Sequence, residues 1–244
     1  MKLSSQYPAS RWRKCATDPG GAFSLVEILV TVAIIGVLFL TITAMTRSSM
    51  TRAKDVQCVS RVRSLASGIL QYTQDQGEFP RSLHSASGAG KPVWAIAILP
   101  YIGTDETPTG AAWDAMFEKM FRCPADTNRT SKIYSYALNV HFELNPDSDD
   151  YPGSPLIWRR PASVISPGAT ILLAEPKAVF YADHIMSHQW TTARAVTNAI
   201  DGLRHGKKSN YAFADGHVET MSPGDTFNPA KGINLWNPSL ARRQ

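Results

Sequence analysis

His205, Asp215 and His217 fall within one short stretch near the C-terminus, with nine residues between the first two. Two imidazoles and a carboxylate are a donor set suited to a divalent metal, provided the chain turns to bring them together. Each also has a plainer explanation. Asp215-Gly216 is a turn dipeptide in its own right, and His205 can simply hydrogen-bond a hairpin backbone. A second pair, His184 and His188, stands four residues apart beside Asp183, so on a helix both rings would share a face. The zinc-protease pattern needs a glutamate directly after the first histidine, where this chain has Ile185. That segment reads as a loop or short helix. Three cysteines complete the inventory: Cys15, Cys58 and Cys123. Cys15 lies in a basic leader, which leaves Cys58 and Cys123 either as one disulfide in an exported body or as two unpaired thiols.

Catalytic signatures are absent from the sequence. Ser24, Ser154 and Ser187 lack the flanking glycines of a nucleophile elbow, and there is no glycine loop able to cradle phosphate. The expectation is a protein that is not an enzyme and carries no resident cofactor. Its net charge of +5 is unevenly spread. Residues 1–22 hold Lys2, Arg11, Arg13 and Lys14 against Asp18 alone, a net +3. The remainder carries no basic stripe for a nucleic-acid partner.

The leader contains Pro8, Pro19, Gly20 and Gly21 and should not be helical. An apolar run follows from 23 to 45, close to the roughly 20 residues a membrane-spanning helix requires, with Glu27 near its start. A charge at mid-bilayer costs about 2.5–3.5 kcal/mol, and less toward the interface. Near the positive end of the helix dipole Glu27 is better tolerated still. From 46 to 76 there is no proline, and Val56, Val59, Val62, Ala66, Ile69 and Thr73 recur at helical spacing. Asp55, Arg61, Ser64 and Gln71 fill the other faces. A glycine-then-proline stop closes the helix at 77–80. The expected element is one nearly continuous helix over 24–76.

Beyond it, glycine, proline, serine and aspartate punctuate every ten to fifteen residues. Residues 93–102 and 112–121 read as short helices, 133–139 and 170–176 as strands, and 82–92 and 145–155 as loops. In 209–221, Asn210, Ala212 and Ala214 alternate with Tyr211 and Phe213 before Asp215-Gly216, a hairpin with a type I′ turn. The domain reading is leader 1–22, transmembrane half-helix 23–45, amphipathic half-helix 46–76 and an α+β body 77–244. The body is a small antiparallel sheet with long loops.

Ala22-Phe23-Ser24-Leu25-Val26-Glu27, set between a basic leader and an apolar run, resembles the type IV prepilin family, including the pseudopilins of type II secretion. Ala22 stands where the family usually has glycine. The resemblance implies cleavage after Ala22 by a prepilin peptidase and methyltransferase, and N-methylation of Phe23. It further implies an inner-membrane assembly platform, other pilin subunits and membrane lipid as partners, and a body in the periplasm. It implies the lollipop shape of pilins, and Glu27 facing the Phe23 amine of a neighbouring subunit in the filament. The spacing from His205 to Asp215-Gly216, with the segments at 121–126, 135–139 and 170–176, is similar to a C-terminal module on prepilin-like proteins of planctomycete and verrucomicrobial lineages. By analogy with the calcium loop of major pseudopilins, Asp215 and Asp225 become calcium candidates. The competing expectation is a single-pass anchor displaying a metal- or ligand-binding domain.

Overall fold

The computed structural model describes residues 23–104, 107–127, 134–143, 158–177 and 183–242. The chain divides into two units, Met1–Ser48 and Ser49–Gln244. The longest element, α1, runs Leu25–Gln76, and Gly77 stops it with a left-handed φ of 71°. In the first unit the side chains from Phe23 through Thr41 are exposed. In the second, Cys58, Val62, Leu65, Ala66, Ile69, Tyr72 and Thr73 are buried. Val62, Ala66, Ile69 and Thr73 of the expected stripe are thus buried, and only its amino-terminal end differs. Val56 is exposed and Val59 half-buried, and Cys58 and Leu65 take their share of the face.

Helices α2 (Leu83–Ala86), α3 (Trp94–Ala97) and α4 (Gly110–Met120) follow, then β1 (Ala137–Asn139), β2 (Ile171–Ala174) and β3 (His184–Ile185). Next come α5 (Ala193–Ala199), the hairpin β4 (Ser209–Phe213) and β5 (Val218–Met221), α6 (Pro223–Thr226), and a two-stranded sheet of β6 (Phe227–Asn228) and β7 (Ile233–Asn234). The main sheet has the order β3-β1-β2-β4-β5.

Two expectations are corrected here. The sheet is mixed, not antiparallel, because β3 pairs with β1 in parallel through Leu138 opposite His184 and Asn139 opposite Ile185. β3 runs opposite to β2 but lies on the far side of β1, so it pairs with β1 in the same direction. A two-residue strand has no alternation from which to read this. Second, among the described residues no helix is long and apolar enough to cross a membrane. The exposed part of α1 up to Thr41 includes Glu27 and Thr31 and falls short of the roughly 20 apolar residues a span needs. The expected transmembrane half is therefore not part of this fold.

Alternation in β4 divides the core of the second unit. Ala212 and Ala214 join the cluster containing Cys58, Val62, Leu65 and Ile69 of α1, with Trp94, Phe117, Phe121 and Leu172. Small residues suit that face because α1 lies close. A Cβ on Gly216 would come within 3.0 Å of Leu70. Tyr211 and Phe213 face the other cluster, with Ile171, Val196, Ile200, Phe227 and Trp236.

Asn139, fully buried at the end of β1, fastens this arrangement. Its Nδ2 donates to the carbonyls of Ile171 and Trp236, both at 2.7 Å. Its Oδ1 accepts from the Ser187 hydroxyl at 2.7 Å and the His141 N–H at 3.2 Å. Asn139→Leu keeps the branching at Cγ but strands these four groups, at about 1 kcal/mol or somewhat less each. The expected loss is about 3 kcal/mol in urea unfolding, and an unchanged midpoint would contradict the assignment.

Candidate functional site

At the amino end, Ser24 caps α1. Its hydroxyl accepts from the Val26 N–H at 3.2 Å, and the Glu27 carboxylate reaches back to the Ser24 N–H at 2.9 Å. Ser24-Leu25-Val26-Glu27 is thus a reciprocal capping box, a local role for Glu27 that the S-x-x-E spacing itself carries. Phe23, just before the cap, is 82% exposed. Ala22 and the leader lie outside the described residues.

In the second unit, Cys58 of α1 and Cys123 are joined by a disulfide, with Cα atoms 5.4 Å apart. Beside it stands His205, placed by a tight reversal. His205 and Lys208 exchange N–H to C=O bonds at 3.2 and 3.3 Å across Gly206 and Lys207, both with positive φ (62° and 70°). This is the type I′ geometry expected at Asp215-Gly216. There, only Gly216 has positive φ, at 92°. Its N–H bonds to the Phe213 carbonyl and the Phe213 N–H to the His217 carbonyl, the pattern of a type I turn closed by a bulge glycine.

The His205 ring is held on both sides. Nδ1 lies 2.7 Å from Asp55 Oδ1, and Nε2 lies 3.0 Å from Glu175 Oε1 and 3.6 Å from Cys123 Sγ. Burial works against its charge, but the bonds to Glu175 and Asp55 outweigh it and raise its pKa. Glu175, fully buried after β2, has its second oxygen held by the Asn210 N–H at 2.8 Å and the Ser209 hydroxyl at 3.2 Å. Next to His205, the buried Arg204 pairs with Asp201 at 3.0 Å and Asp126 at 3.4 Å, and donates to the carbonyls of Ser135 and Pro176.

His205, Asp215 and His217 do not converge, since His205 precedes β4 and the other two follow it. Asp215 and His217 pair with each other, Oδ1 to Nδ1, at 2.5 Å. The His217 ring also stacks on Phe213 at 4.3 Å. Burial raises the Asp215 carboxyl, yet the His217 ring and backbone N–H pull it below the usual carboxylate range. Asp225 belongs to α6, away from the hairpin tip. His184 is in β3 and His188 in a 3-10 turn over Ser187–Gln189, so they share no helix face. Among the described residues the one group with metal-ligand proximity is Cys58, Cys123, Glu175 and His205. One member, Glu175, was missed in the sequence, where it read as the end of a strand, and so was the His205 partner Asp55, which read as a polar residue on another face of the helix. The signal available was a single acid in an otherwise apolar strand.

No protein-family model, no curated protein and no solved structure matches the chain.

Proposed function

We propose that this chain is a structural pilin-like or pseudopilin subunit, cleaved after Ala22 and assembled through its N-terminal helix into a type IV pilus-like or type II secretion filament. The observation that carries this reading is the surface behind the capping box. Thirteen large apolar side chains between Phe23 and Leu40 are each at least half exposed, and a surface of that kind must be covered. Neighbouring copies of the helix cover it in the filament. The body sits in the periplasm, where a Cys58–Cys123 disulfide can form and persist. The peptidase, the methyltransferase and the assembly platform are separate proteins.

Removing the leader makes Phe23 the new amino terminus. In the filament its methylated amine faces Glu27 of an adjacent copy. Between packed apolar helices an unpaired carboxylate is expensive, so the pair selects one register.

Glu27→Gln separates the two roles of this side chain, because glutamine preserves the capping box while removing the charge. The variant is expected to accumulate and lose its leader normally. Its incorporation into filaments should fall at least tenfold by immunoblot of sheared or overexpressed fibres. Wild-type incorporation would refute the register role.

A further inference from the structure

The group around the disulfide holds more ligating atoms than a structural cross-link needs. The sulfurs of Cys58 and Cys123, a Glu175 carboxylate oxygen and a His205 ring nitrogen lie within 4.8 Å of one another, all on buried residues. They come from four separate places: α1, the segment after α4, the end of β2, and the turn before β4. A tetrahedral zinc ion, with bonds of about 2.3 Å to sulfur and about 2.0–2.1 Å to nitrogen and oxygen, sets edges of about 3.6 Å between S and N and about 3.4 Å between N and O. The corresponding separations are 3.6 Å for Cys123 Sγ to His205 Nε2 and 3.0 Å for Nε2 to Glu175 Oε1.

The surroundings are oriented for the same purpose. When the His205 Nδ1–H donates to Asp55, the lone pair of Nε2 points at the sulfurs and Glu175. A carboxylate on the outer nitrogen is the usual device for aiming an imidazole at a metal. Asn210 and Ser209 grip Glu175 Oε2 and turn Oε1 toward the same centre.

We propose that when the disulfide is reduced, Cys58, Cys123, His205 and Glu175 bind one zinc-type divalent cation, with Asp55 as a positioning residue. This does not rest on the filament reading. Reduction by a dithiol breaks the S–S bond. Two electrons and two protons pass to the protein, giving two thiols, and the donor leaves as a disulfide. The cation then displaces both thiol protons to solvent and forms two metal–sulfur bonds. Disulfide and metal are alternative closures of one joint between α1 and the segment after α4, which the metal would extend to the end of β2 and the turn before β4.

The test uses the full chain in detergent micelles. It is reduced with a phosphine, stripped of reductant without oxygen, and titrated with cobalt(II), with helicity followed by circular dichroism. The expected result is one cobalt per chain. It shows a near-ultraviolet thiolate-to-cobalt band and the visible absorption of a tetrahedral site, both abolished by equimolar zinc. Cys58→Ser should remove most of the charge-transfer band. Asp55→Asn should keep the spectrum but weaken affinity 10- to 100-fold. A folded reduced chain without the band would overturn the proposal. So would an unfolded reduced chain that cobalt fails to refold, because a built site couples binding to folding. A band unchanged in Cys58→Ser would also overturn it.

Discussion

Cys58→Ala is expected to destabilise the oxidised protein by about 4 kcal/mol, measured by denaturant unfolding in the presence of a chelator. The cross-link ties residues 65 apart in sequence. Closing a loop of that length in the unfolded chain removes entropy worth about 4 kcal/mol at 25 °C. The native state has no evident compensation, because both cysteines are fully buried in the cluster formed by α1 and the aromatic residues after it. For a body of this size the midpoint of thermal unfolding should drop by about 10 °C. Reductant applied to the wild type should reproduce the shift under the same chelated conditions, and should do nothing further to Cys58→Ala. A variant that unfolds with the wild type would mean that the cross-link is not formed in the native protein.

Acid should destabilise the body earlier than its carboxylates alone require, through His141. The ring is 4% exposed, and its Nδ1 is buried without a hydrogen-bond partner among the described residues. Burial first, and then the neighbouring His188, push its pKa down to about 3. The unfolded value is about 6.5, so between these limits the unfolded chain binds a proton that the native state refuses. This contribution is therefore fully present above pH 6.5 and is lost as pH falls toward 3. It amounts to about 2 kcal/mol by pH 5 and on the order of 5 kcal/mol by pH 3. His205 acts with the opposite sign and in another window. Its raised pKa gives stability that is complete below pH 6.5 and fades as pH rises through its native value. Urea unfolding between pH 6.5 and 5, where carboxylates remain mostly ionised, isolates His141. His141→Phe should flatten that slope, and an unchanged slope in the variant would contradict the assignment.

The parts of the fold that were legible in the sequence are those with a long period. Fifty residues without proline, ended by glycine and proline, specify α1 nearly to its boundaries. The alternation of 209–213 identifies β4 and the two faces it separates. What was not legible depends on where distant segments meet. Nothing local marks the two residues of β3 as a parallel partner of β1. The type I′ turn fell to Gly206-Lys207 because a lysine accepts positive φ there, against its own preference, while Asp215-Gly216 was satisfied by a longer reversal. The same holds for the buried centre. Its histidine and cysteines drew attention by type, but Asp55 and Glu175 looked like ordinary helix-surface and strand-end acids. The separation of 150 positions between Asp55 and His205 is bridged by packing, which spacing does not encode. At the amino end the reverse occurred, for the capping box was written in four consecutive residues.

The most direct test of the filament-subunit reading is the intact mass and N-terminal peptide of the protein isolated from the cells that make it. The prediction is a chain that begins at N-methylated Phe23, without Met1 through Ala22. A protein that retains its basic leader, or is cut anywhere other than between Ala22 and Phe23, would contradict it.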